Sequence, residues 1–410
     1  MAAIAGLVAS AAILTAQEAA VLHVGPGQRY ARITDAVAAA RRGDTVRIAP
    51  GTYREPTIVV AVPDVALVAA PGAVLDGEGQ RGLLVLAAPR VRVQGLSFRN
   101  TGITHMEDRA ALRAVEADGC AIVGNRFDDA LFAIYLQQSA DCTVRDNTIR
   151  GGGRGESTNG NGIHLWHSPN AQVLHNRITG QRDGIYFEFS DGAVAVANES
   201  VGNVRYGLHF MFSSHCRYER NRFVDNGAGV AVMYSKHLTM TDNRFERSSG
   251  SASYGLLLKE ITDGSLRGNT FADNATGLFL EGASRLDIRG NTFRANGWAV
   301  RLMADALDNR FERNQFHANA FDVATNSRTV RSTFEGNWWD EYRGYDLDRD
   351  GHGDVPFRPV RLFALIVEKH PESLLLLRAP VTVVLDAAER VFPVLTPALA
   401  DARPLMRPPQ

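Results

Sequence analysis

The sequence predicts an all-β chain wound as a single-stranded parallel β-helix. Three observations predict it. An Asn-centred element recurs about every 22 residues, a Gly-apolar-x-apolar element keeps the same beat, and both alternate with the period of two that marks strands. The Asn element reads GNRF at Asn125, DNTI at Asn147, HNRI at Asn176, ANES at Asn198 and RNRF at Asn221, then DNRF at Asn243, GNTF at Asn269 and Asn291, RNQF at Asn314 and GNWW at Asn337. The successive spacings are 22, 29, 22, 23, 22, 26, 22, 23 and 23 residues. The Gly element appears as GIHL from Gly162, GIYF from Gly184, GLHF from Gly207, GVAV from Gly229, GLLL from Gly255 and GLFL from Gly277.

A unit this short cannot hold a helix pair or a propeller blade. Three short strands and three bends do fit it, and they close one coil of a parallel stack. Coils then lie roughly 4.8 Å apart, and equivalent residues form ladders. Ile185, Leu208, Val230, Leu256 and Leu278 are expected to fill one interior column. The repeated Asn is expected at a bend, in left-handed backbone, stacking amide on amide.

Composition bounds the function. The 410 residues carry 44 Lys plus Arg against 45 Asp plus Glu, a net charge of −1, which excludes the basic excess of a nucleic-acid-binding protein. Three cysteines cannot staple a chain of this length. Cys120, Cys142 and Cys216 each precede a repeat Asn by five residues, so they share one column, with Ala171 and Ala193 between. They are expected to be inert core thiols, although Cys120 and Cys142 lie on adjacent coils and would reach each other if oxidised.

Taken in order, residues 1–20 read as a secretory signal. The run Ala2–Ala16 is uncharged, is too short to span a bilayer, and is followed by small residues. Residues 21–60 form an N-terminal cap and first strand: an amphipathic helix over Ile33–Arg42, a stop at Gly43, then Val46–Ala49 and a Pro50-Gly51 turn. Residues 61–340 form the β-helix. Residues 341–358 form an Asp-rich loop. Residues 359–410 form a helical and apolar tail cut by prolines, either a cap for the last coil or a docking arm.

On the Gly element the x positions face outward. They run His164/Trp166, Tyr186/Glu188, His209/Met211, Ala231/Met233, Leu257/Lys259, Phe279/Glu281 and Arg301/Met303. Met211 and Met233 share a column on adjacent coils, and His209 lies two residues from Met211 on the same face. Thioether plus imidazole without thiolate selects copper, most naturally Cu(I). His209, Met211 and Met233 are therefore the ligand candidates, with Glu188 as an orienting carboxylate or further ligand and His164, His167 and His215 in reserve. The alternative is an adhesive Met-rich protein surface. Trp166 and Tyr186 on this stripe, and Leu362, Phe363, Leu385 and Phe392 on the tail, are the partner-facing candidates. A second cation site is expected in YDLDRDGHGD. Asp346, Asp348 and Asp350 alternate before Gly351, with Asp354 following, like the front half of a calcium loop, although Phe357 stands where the bidentate Glu belongs. The alternative there is a solvated turn.

A secreted β-helix polysaccharide lyase or uronate epimerase is the enzymatic alternative. Such chemistry needs a carboxylate pair or a base with a cation on the strand face. GHG at Gly351–Gly353 lies outside the repeat, and the outward stripe carries no Asp-Asp pair.

The strings RDGIYFEFS, YGLHFMFS, GVAVMYS, YGLLLKE, GLFLEGAS, GWAVRLMA and FDVATNSR follow in order. They continue with GNWWDEYRGYDLDRDGHGDVPFRPVRLFALIVEKHP, LLLLRAP and AERVFPVLTP. In these strings the chain resembles the NosD family over about residues 25–406. The resemblance implies a right-handed, pectin-lyase-like parallel β-helix in the periplasm, a binding protein rather than an enzyme. It implies a part in assembling the copper–sulfur centre of nitrous oxide reductase. The partners it implies are that reductase, an ABC transporter permease with its ATPase subunit, and a copper-donor lipoprotein. It favours copper at His209, Met211 and Met233, and it makes the tail from Arg361 onward the part that docks on the inner-membrane transporter.

Overall fold

The computed structural model describes residues 19–104, 106–152, 155–248, 253–327, 329–377, 379–391, 396 and 399–409. Most of the expected signal segment (1–18) and Phe392 lie outside the described residues.

From Val21–Val24 to Trp338–Trp339, each strand pairs in parallel with its counterpart one coil away. The result is a parallel β-solenoid of about 14 turns. Each coil connection is a β-crossover-β link, a class that is right-handed in nearly every case. One face is a 13-stranded sheet. The other two faces merge into a 24-stranded sheet, because Ala228–Thr241 and Tyr254–Arg267 run round the corner as continuous strands.

The interior is built by ladders. Ile185, Leu208, Val230, Leu256 and Leu278 are in register and fully buried, as the repeat predicts. The Gly before each of them is forced by proximity: a Cβ on Gly229 would sit 2.3 Å from the carbonyl oxygen of Gly255. The aromatic of the Asn element also points inward, and Phe245, Phe271, Phe293, Phe316 and Trp339 stack face to face at 4.1–5.0 Å.

The repeated Asn differs from expectation in its backbone. The left-handed conformation falls one residue earlier, on residues such as Gly124, Asp146, His175 and Arg220. This turns the Asn side chain inward. The Oδ1 of Asn147 accepts from the backbone N–H (2.9 Å) and Nδ2 (3.2 Å) of Asn125, and the Nδ2 of Asn147 donates to the carbonyl of Ile122 (3.0 Å). The pattern repeats to Asn337, so each buried amide is satisfied by its neighbours rather than by water. A serine ladder at another corner, Ser168–Ser190–Ser213–Ser235, works in the same way.

The cysteine column is confirmed, with one change. Cys120 and Cys142 are joined as a disulfide, Cα–Cα 4.6 Å, because adjacent coils hold them within bonding reach. Cys216 is a buried free thiol, and burial pushes its pKa up to about 11, which makes it inert.

At the N-terminal end, α1 (Ile33–Ala39) buries Ile33, Ala36 and Val37 over the first coils and stops short of Arg42. Its first backbone N–H groups donate to the Glu55 carboxylate at 2.8 and 2.9 Å, which also suits the helix dipole. At the other end the tail divides. α2 (Leu362–Lys369) packs Phe363, Ala364 and Val367 on Phe321, beside the last strand of one face. α3 (Pro380–Val391) packs on α2. The chain then returns, and Asp401 and Leu405 bridge the last coil at Phe334 and Trp338. The tail thus contains a true cap at 399–406, while the helices lie against the side of the rod.

Candidate metal centre

The outward stripe lies on strands Ile163–Trp166, Asp183–Glu188, Tyr206–Met211, Ala228–Thr241 and Tyr254–Arg267. Pairing sets two columns. One reads Tyr135, His164, Tyr186, His209, Ala231, Leu257; the other reads Gln137, Trp166, Glu188, Met211, Met233, Lys259. The register inferred from the Gly element is therefore the observed one. Met211 and Met233 are direct neighbours, and Glu188 lies one coil below Met211.

The first column does not face water as expected. His164 is 8% exposed and His209 is 7% exposed. Aromatic rings wall them in: Tyr135 stacks on His164 at 4.4 Å, Tyr186 meets His164 edge-on at 4.7 Å and His209 at 5.0 Å, and Tyr206 leans on His209 at 4.8 Å. The imidazole column is dry because large neighbours cover it. Sequence reading missed Tyr135 and Tyr206, which carry no signal of their own beyond being strand residues. His164 and His209 are two coils apart with the Tyr186 ring between them, so the structure does not bring His164 into the His209–Met211–Met233 group.

Burial dominates the electrostatics. It pushes His209 down to about 4 and His164 down to about 3, so both imidazoles are neutral and keep a free lone pair near neutral pH. Neither ring nitrogen of His209 has a hydrogen-bond partner among the described residues, and the Nε2 of His164 also lacks one. A buried polar atom left unpaired costs about 1–3 kcal/mol, and such atoms in a native fold call for an explanation such as a bound ion. Tyr186 is pushed up to about 12 by burial and then by Glu188, and stays protonated; its hydroxyl donates to the Met211 sulfur at 3.9 Å. Nearby Asp183 is fully buried and clamped by Arg205 at 2.6 and 2.9 Å. Lys259, next to Met233, is paired with Glu281 at 3.1 Å. The half-buried thioethers, the neutral imidazole and Glu188 suit a soft monovalent cation better than a hard divalent one.

A third column was also missed. His167, Phe189, Phe212 and Tyr234 occupy left-handed corner positions directly after Trp166, Glu188, Met211 and Met233, and their rings stack at 4.8–5.1 Å. Phe189, Phe212 and Tyr234 are exposed. The signal was present in FEFS, FMFS and VMYS: an aromatic facing out, followed by the Ser of the inward ladder. Trp166 meets His167 edge-on at 4.5 Å and sits at the foot of this ridge.

In the Asp loop, Asp346, Asp348 and Asp350 bring one carboxylate oxygen each within 4.8 Å of one another. Asp346 accepts from the backbone of Asp350 (3.2 Å) and Gly351 (3.0 Å), and Asp350 pairs with Arg403. Asp354 is outside this group and accepts from the Leu347 N–H at 2.7 Å. On the tail, Phe363 is 3% exposed against the solenoid wall, so it cannot serve as a surface contact. Leu362 is half-buried, and Leu385 is exposed.

A family model described as periplasmic copper-binding protein (NosD) matches residues 151–344. The chain is 33% identical over 361 residues to a probable ABC transporter binding protein NosD of Stutzerimonas stutzeri, covering 83% of this chain and 82% of that one. It is 34% identical over 360 residues to the protein of the same description in Pseudomonas aeruginosa, covering 82% and 83%. A mannuronic-acid-specific polysaccharide family 6 lyase from human gut microbiota superposes with a TM-score of 0.58 at 14% identity, over 86% of this chain and 94% of that one. At that identity the likeness is one of fold alone.

Proposed function

This chain belongs to the NosD family, and from that premise we propose that it is a periplasmic accessory protein that receives and delivers Cu(I) for the copper–sulfur centre of nitrous oxide reductase, with no catalysis of its own. The cargo ion is held by His209, Met211 and Met233. The observation that carries this reading is that His209 is buried, neutral and unbonded at both nitrogens, while Met211 on its own coil and Met233 on the next occupy the neighbouring outward column. Glu188 and the Tyr186 hydroxyl position the Met211 side of the group. The exposed ridge Phe189–Phe212–Tyr234 borders the thioethers and offers the copper donor or the reductase an apolar landing surface. The helical part of the tail docks on the ABC transporter permease, which works with its ATPase subunit.

The test is competition for Cu(I) against a chromophoric chelator. Met211→Leu with Met233→Leu, or His209→Phe, should weaken binding ~100-fold or more while the thermal melt moves little, since Leu conserves the volume of Met and Phe keeps an aromatic ring between Tyr186 and Tyr206. Unchanged competition in both variants would reject these ligands. The enzymatic alternative predicts turnover of alginate or pectin; the binding reading predicts none.

A further inference from the structure

We propose that His215 and His237 form a second, surface metal site, which takes a borderline divalent cation of the Cu2+, Ni2+ or Zn2+ class and is separate from the Met211–Met233 group. The two residues occupy the same turn position on adjacent coils, four residues after Met211 and Met233 respectively. Both backbones are left-handed there, φ +60° and +55°, which throws both side chains outward. The chain fixes their pairing: the N–H of His215 donates to the carbonyl of Lys236 at 2.9 Å. The imidazoles stack at 4.8 Å with 26° between planes, and both are exposed.

The other residues of this turn column are ones suited to left-handed backbone or to ion pairing. Asn170 and Gly192 precede the pair, and Asp263 and Arg285 follow it, Asp263 taking the Arg285 guanidinium at 2.7 Å through both oxygens. That carboxylate is therefore committed elsewhere. Gly192, one coil below His215, has no side chain to cover the outer ring face. Neither imidazole is hydrogen-bonded to a described side chain, in contrast to the Asp and Arg of the same column. Small rotations about the side-chain bonds bring a nitrogen of each ring to one ion, and two imidazole nitrogens with no thiolate or thioether suit borderline divalent cations. Only two protein ligands are supplied, so the remaining coordination positions stay open and the bound ion exchanges readily.

The probe is Cu2+ held by iminodiacetate, which leaves positions for two adjacent imidazoles. The full chain should bind one equivalent through this pair, with two imidazole nitrogens in its electron spin echo spectrum. His215→Asn and His237→Asn, conservative for left-handed backbone, should each weaken this binding ~10-fold or more through loss of the chelate and leave one nitrogen in the spectrum. Met211→Leu with Met233→Leu should not change it, so failure here is distinguishable from failure of the Cu(I) reading. Single His variants that bind as the parent chain does, or a one-nitrogen spectrum in the parent, would overturn the proposal.

Discussion

The carboxylate of Asp401 stands where the next asparagine would stand above Asn337. One oxygen accepts from the Asn337 backbone N–H (2.8 Å), the Asn337 Nδ2 (3.1 Å) and the Trp339 Nε1 (3.1 Å); the other accepts from the Gly336 N–H (3.0 Å). The last rung of a ladder has no coil above it, so its donors would be stranded. A residue from the returning tail supplies the missing acceptors, and its charge strengthens each bond. Asp401→Ala leaves these neutral N–H donors without an acceptor and should therefore cost about 1–3 kcal/mol for each donor that water cannot reach. Asp401→Asn, which presents an amide N–H₂ where one acceptor oxygen was, should cost less. Chemical denaturation with hydrogen exchange at the C-terminal coils checks this; equal stability of the alanine variant would show that the end needs no cap.

The dry imidazole column makes the fold acid-sensitive. His209 titrates near 4 and His164 near 3 in the folded chain, against 6.5 for the ordinary side chain. The unfolded chain binds more protons as pH falls below 6.5, so stability is complete above that value and is lost towards pH 4. For His209 alone the loss is on the order of 3 kcal/mol. His164→Phe with His209→Phe retains the stacked rings and should flatten the melting temperature between pH 6.5 and 4. A parent-like slope in this variant would place the acid sensitivity elsewhere.

The register of the rod was legible because one spacing orders everything: Met211 and Met233 could be placed side by side, and Cys120 beside Cys142, from counting alone. What counting could not supply was what covers each column. His209 and Lys259 both lie at outward strand positions, but Tyr186 and Tyr206 shield the first and solvent reaches the second. That difference depends on side-chain volume on neighbouring coils. The cap at Asp401 was illegible for another reason: it belongs to no repeat and reaches the ladder only after the tail has passed through two helices.

Calcium should bind the Asp346 loop. The N–H groups of Asp350 and Gly351 already orient the Asp346 carboxylate, and Asp348 and Asp350 converge with it. An ion there would relieve repulsion among three carboxylates and stabilise the folded chain by mass action, about 2.7 kcal/mol at a hundredfold excess over Kd. Because Arg403 also reaches Asp350, the loop would be tied to the Asp401 cap and the gain read at the C-terminal coils. No change in melting temperature at millimolar calcium, or an equal change in Asp346→Asn with Asp348→Asn, would leave the loop a plain turn.

Docking through the tail requires a surface that the fold itself does not use. On α3, Val381, Val384 and Leu385 are exposed and lie on one helical face by their three- and four-residue spacing, and Leu374, Leu375 and Leu376 are exposed just before it. Phe363 does not contribute, being spent against Phe321. Truncation at Pro380 is a poor test, because it removes Asp401 and uncaps the rod. The triple variant Val381→Gln, Val384→Gln, Leu385→Gln keeps helix propensity and should melt within a few degrees of the parent chain, as surface changes do. Its co-purification with the permease should fall to background, while its Cu(I) affinity should stay unaltered, because the proposed ligands His209, Met211 and Met233 lie several coils from Phe321, where α2 packs. Undiminished co-purification would return α3 to the status of a side cover for the solenoid and move the docking surface to the aromatic ridge.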